Sequence, residues 1–120
     1  MAIGIAKIKF ILLKSGFSEM ADKSKHKEFI HTRTSESVYL NKAEPKVYSH
    51  LIVHPRHLSE RTQLINSGVG IGSSNDFLFG AGYRAFPERI RNGTKPCKYG
   101  VPFGFDSIVS LNAFLGHIFP

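Results

Sequence analysis

The run Lys98-Tyr99-Gly100-Val101-Pro102-Phe103-Gly104-Phe105-Asp106-Ser107 sets two glycines and a proline at alternate positions among three aromatic rings. Glycine frees the backbone and proline fixes φ, so the run reads as a built turn that launches the last helix. Asp106 or Ser107 caps that helix, in which Ile108, Leu111, Phe114 and Leu115 keep core spacing as far as about Gly116.

Working back from this turn, the chain alternates helical and extended patterns. Residues 2–15 place Ile5, Ile8 and Leu12 on one stripe with Lys7 and Lys14 seven apart, as an amphipathic helix requires. Gly16 stops it, Phe17 folds back onto its last turn, and residues 18–27 read as a polar loop. Residues 28–33 and 37–40 carry the β-formers Phe29, Ile30, Thr32, Val38 and Tyr39 and make a hairpin around a turn at 34–36. After a turn at Pro45, residues 47–54 read as a third strand, with Leu51 and Val53 on one face, His50, Ile52 and His54 on the other, and Pro55 as its end. Leu58, Leu64 and Ile65 then keep helical spacing up to a stop at Gly68. Five of the eleven glycines fall within residues 68–82, which predicts a long loop with a short strand at Phe77-Leu78-Phe79. A further strand is expected over residues 83–90, with Pro87 confining it to an edge or a bulge.

At 120 residues the chain is expected to form a single domain spanning residues 1–120. An apolar share of 42% and a charged share of 21% are those of a soluble globular protein, and no run approaches the roughly 20 apolar residues of a membrane span. Lys7 and Lys9 interrupt the apolar start, which argues against a secretion signal. The single cysteine, Cys97, cannot form an intrachain disulfide and fits a reducing, cytoplasmic setting, in which Asn92-Gly93-Thr94 is a turn and not a glycan site.

Five stretches carry a resemblance. Leu13-Lys14-Ser15-Gly16-Phe17, Val38-Tyr39-Leu40-Asn41, Leu51-Ile52-Val53-His54-Pro55, Arg84-Ala85-Phe86-Pro87 and Tyr99-Gly100-Val101-Pro102-Phe103-Gly104-Phe105 resemble, in that order, the small cytoplasmic YgaC-like proteins. The resemblance implies an α+β, two-layer, secretion-chaperone-like fold, grouped with the N-terminal domain of TfoX-like competence regulators. In that fold an antiparallel sheet of about five strands packs with N-terminal, middle and C-terminal helices. It implies no known activity, so no catalytic residue is carried over.

The net charge of +7 is unevenly spread: residues 84–98 hold Arg84, Arg89, Arg91, Lys95 and Lys98 against the single acid Glu88. With Arg56 and Tyr99, these cations are the candidate contacts for nucleic acid or an acidic protein surface, since arginine pairs with phosphate and Tyr83, Tyr99 or Phe103 offer rings to an unpaired base. The bland alternative is that the rings close a core and the cations are solvated. His50, His54 and His57 are weak candidates for a metal, with only Glu60 as an acidic neighbour; no cofactor is expected. Gly68, Gly70 and Gly72 lack the third element of a phosphate-binding loop, and neither Cys97 nor any serine has a recognisable base, so an enzyme is disfavoured. The expected function is a non-enzymatic binding module with a basic face and little sequence specificity, with no membrane partner. The alternative is a protein-interaction adaptor, regulator or chaperone-like factor, as a homodimer or as an inhibitor encoded by a mobile element.

Overall fold

A computed structural model describes residues 4–20, 26–41, 50–72, 77–80, 83–90 and 96–119. The expected turns at Pro45 and Asn92-Gly93-Thr94, the start of the third strand at 47–49, and the candidates Arg91 and Lys95 lie outside the described residues.

The helices among the described residues are α1 (Ile5–Lys14), α2 (Leu58–Asn66) and α3 (Ile108–Ile118), and a 3-10 turn (Pro55–His57) precedes α2. The strands are β1 (Phe17–Glu19), β2 (His26–His31), β3 (Ser37–Asn41), β4 (Leu51–Val53), β5 (Leu78–Phe79), β6 (Glu88–Ile90) and β7 (Pro96–Phe103). They form an antiparallel sheet in the order β1-β2-β3-β4-β7-β5, with β6 also paired to β7. Gly16 and Gly68 end α1 and α2 at φ of +92° and +79°, the left-handed conformation that glycine adopts without strain. Ser107, not Asp106, caps α3: its hydroxyl accepts from the Ser110 N–H at 3.1 Å.

Three expectations fail, and all concern strands. The sheet has seven strands among the described residues where about five were expected. Part of the predicted polar loop is β1, which opens with Phe17, buried in one core with Ile8, Ile11 and Leu12 of α1 and against Phe119. The run from Lys98 to Phe103 is not a turn but the larger part of β7, the strand on which β4, β5 and β6 all pair. A smaller difference lies in residues 83–90, of which only β6 is extended.

Strand alternation sorts the sheet into two faces. Phe29, Val38, Leu40, Leu51, Val53, Val101 and Phe103 pack with residues of α1, α2 and α3 in the main core. The opposite face carries no helix among the described residues, and a smaller cluster of Tyr39, Ile52, Tyr83 and Phe86, with Leu78 packed against it, sits there. No helix among the described residues is long and apolar enough to cross a membrane.

Candidate functional site

Val53 pairs with Val101, so residues 54–56 leave β4 alongside residues 98–100 of β7. Phe86 sits at that junction, and its ring meets His54 edge-on at a centroid distance of 5.5 Å. The Lys98 Nζ donates to the Phe86 carbonyl at 3.3 Å. The segment carrying Phe86 is pinned from its other side, because the Ala85 N–H donates to the Tyr39 hydroxyl at 3.0 Å and the Arg84 Nε donates to the buried Glu28 carboxylate at 2.9 Å. The Ser37 hydroxyl also donates to that carboxylate, at 2.8 Å. The hydrogen bond to Glu28 raises the pKa of Arg84, and burial raises those of the Tyr39 and Tyr83 hydroxyls, the latter to about 12.

Arg56 is likewise held by an acid. Its Nε donates to one oxygen of Glu36, and His57 Nε2 stands 2.7 Å from the other. Burial pushes the Glu36 carboxyl up, but the bonds from His57 and Arg56 outweigh it and leave the group below the usual carboxylate range. Three cations are thus tethered, Arg56 to Glu36 beside the buried His57, Arg84 to Glu28, and Lys98 to the Phe86 carbonyl, the last two on the helix-free face.

Arg89 and Tyr99 go to the other face. Arg89 lies opposite Cys97 in the β6–β7 pairing, and side chains two apart on a strand share a face, so Arg89 projects with Cys97 and Tyr99. Its guanidinium carbon is 4.6 Å from the ring centroid of Phe77 and 5.5 Å from that of Tyr99. Those two rings meet edge to face at 5.0 Å, and Phe79 lies tilted against Tyr99 at 6.0 Å. Arg89 is exposed, and among the described residues no carboxylate pairs with it. The other two suggested stacking rings cannot meet a ligand: Tyr83 and Phe103 are buried in the two cores.

The histidines have separate tasks. His50 Nδ1 accepts from the Phe105 N–H at 3.1 Å, and His54 Nδ1 accepts from the Arg56 N–H at 3.0 Å, capping the 3-10 turn. His57 is buried against Glu36. Among the described residues no group of three or more His, Cys, Asp or Glu side chains is arranged to hold a metal ion. A shallow pocket of about 190 Å³ lies between the end of α1 and α3, lined by Ser15, Phe17, Asn112, Leu115 and Phe119, and no sequence-predicted site residue lines it.

A family model described as "Protein of unknown function (DUF2002)" matches residues 4–119. The chain belongs to this family. A comparison with curated proteins gives no match. The matched span covers each described strand and helix, so both the Phe86 junction and the Arg89 platform are built from the DUF2002 domain itself. Sequence reasoning missed the acids of this DUF2002 protein, Glu28 and Glu36, which decide which cations are tied down. Glu28 had one available signal: it stands in a strand register opposite Tyr39, within a hairpin of apolar residues.

Proposed function

We propose that this DUF2002 protein is a non-enzymatic binding module that engages an acidic partner, nucleic acid foremost, through Arg89 and the aromatic residues beneath it. The observation that carries this reading is the contrast between cations. Arg56 and Arg84 are bound to Glu36 and Glu28, whereas Arg89 is exposed on Phe77 and Tyr99 and forms no ion pair among the described residues. The net charge of +7 adds long-range attraction to any polyanion. The reading includes a cytoplasmic setting, for which the single cysteine speaks, and the narrower kinship with YgaC-like and TfoX N-terminal-like proteins, for which the five sequence stretches speak.

Binding of this kind is micromolar or weaker and loses affinity steeply with salt, each phosphate contact adding about −0.9 to the log–log slope on duplex DNA. An electrophoretic mobility assay with single- and double-stranded DNA and RNA at two salt concentrations tests it. Shifts at low salt that vanish at physiological salt support the reading; no shift at low salt, or salt-insensitive binding, refutes it.

A second reading, an adaptor, regulator or chaperone-like factor acting as a homodimer, is favoured by apolar side chains exposed on the helices, Phe10 and Leu13 on α1 and Val109 on α3. Light scattering that shows a strict monomer counts against it.

A further inference from the structure

We propose that Arg89 is a stacking cap for an unpaired base, so that the preferred acidic partner is a single-stranded polynucleotide. The proposal rests on the binding-module reading above and narrows it to one ligand class. The guanidinium of Arg89 is planar, and its stem rises from β6 beside β7, the strand that carries Tyr99. Its guanidinium carbon lies over Phe77 at 4.6 Å and over Tyr99 at 5.5 Å. The residue is nevertheless exposed, which leaves it open to a ligand.

That arrangement differs from a solvated surface charge in two ways. A lysine or arginine waving in water must be ordered when a ligand binds, whereas Arg89 is already seated on two rings that are themselves wedged together at 5.0 Å. An exposed guanidinium plane also recognises a shape as well as a charge, since bases stack on arginine planes as they do on aromatic rings. The resulting order is base, Arg89, then Phe77 and Tyr99. In a duplex both faces of every internal base are covered by neighbouring pairs, leaving only phosphates to contact. A single strand offers phosphates and free base faces together. Acidic peptides offer charge without a stacking face.

The test is fluorescence anisotropy at low salt with five probes of equal length or charge: a mixed-sequence single strand as DNA, the same strand as RNA, the matching duplex, an abasic single strand that keeps the phosphates, and heparin as an anion without bases. Each is titrated with the wild type, R89K and R89A, with thermal midpoints measured alongside as a control for folding. The wild type is expected to bind at least one of the two single strands roughly fivefold to a hundredfold more tightly than the duplex or the abasic strand. R89K is expected to erase most of that preference while keeping its heparin affinity, because lysine retains the charge and lacks the plane. R89A is expected to weaken all five. If the wild type binds all probes alike, or R89K keeps the single-strand preference, stacking is refuted and the acidic-partner reading survives. If no probe binds, both fall.

Discussion

Gly100 lies directly beneath the ring of Phe86: a Cβ at position 100 would stand 2.8 Å from the Phe86 Cε2 and would also collide with Ile52. Two of the stretches that carry the family resemblance thus meet face to face, the glycine of one admitting the aromatic ring of the other. Gly100→Ala is expected to destabilise the fold by about 1–3 kcal/mol through overpacking. Phe86→Ala should cost about 3–5 kcal/mol, since the ring is buried. Urea unfolding midpoints check both, and an unchanged midpoint for G100A would show that the Phe86 segment does not rest on β7.

The Glu28–Arg84 pair gives a second expectation. Glu28 is buried and bonded by Ser37 and Arg84, so removing the arginine leaves a buried carboxylate with one partner fewer. Arg84→Ala and Glu28→Gln are each expected to lower the unfolding midpoint, and the double variant to lose less than the two single losses together. Strict additivity in that cycle would mean the two side chains do not interact.

Stability should fall as pH drops from neutrality. Burial lowers the pKa values of His31, His50 and His54 below the ordinary 6.5, and each uses Nδ1 to accept from a backbone N–H, of Thr34, Phe105 and Arg56 respectively. Because these folded values lie below the unfolded one, the unfolded chain takes up protons first. The stabilisation is complete above about pH 6.5 and is lost progressively as pH falls through and below that value. The lowered Glu36 carboxyl adds a second decline, starting near its ordinary 4.5 and continuing below it. Urea titrations between pH 7.5 and 4 check the slope, and stability that is flat or rising on acidification contradicts it.

Much of the fold was legible because its periodicities were clean. Ile8 and Leu12 in α1, Leu64 in α2, Leu111 and Phe114 in α3, and the alternation of Leu51 and Val53 against Ile52 all reach the cores their spacing implied. β7 was hidden by its own punctuation. Gly100 is there for a close approach and not for a turn. Pro102 is tolerated because even-numbered residues of β7 turn their backbone groups away from β4, as the bonds from Gly80 to Lys98 and between Ile71 and Gly104 show. Its missing N–H therefore takes no bond from the β4 ladder. Hydrogen exchange should find the Tyr99 and Gly104 amides protected, since they donate to Pro87 and Ile71; fast exchange at both would return this run to a turn.

The candidate site was less legible than the fold. Counting charges over residues 84–98 located a basic segment but gave its cations equal weight. Their inequality comes from contacts distant in sequence: Glu28 is 56 residues from Arg84, and Glu36 is 20 from Arg56. Alternation along β6 and β7 also separates Lys98 from Tyr99, although the two are adjacent in the chain.

The most direct test sets Arg84→Ala against Arg89→Ala, measuring for each both the thermal midpoint and the salt dependence of polyanion binding. If Arg84 is a structural cation and Arg89 the contacting one, R84A lowers the midpoint and keeps the binding slope. R89A keeps the midpoint, weakens binding and reduces the log–log slope by about 0.9. The reverse pattern, with R84A abolishing binding in a fully stable protein while R89A binds like the wild type, would contradict the account.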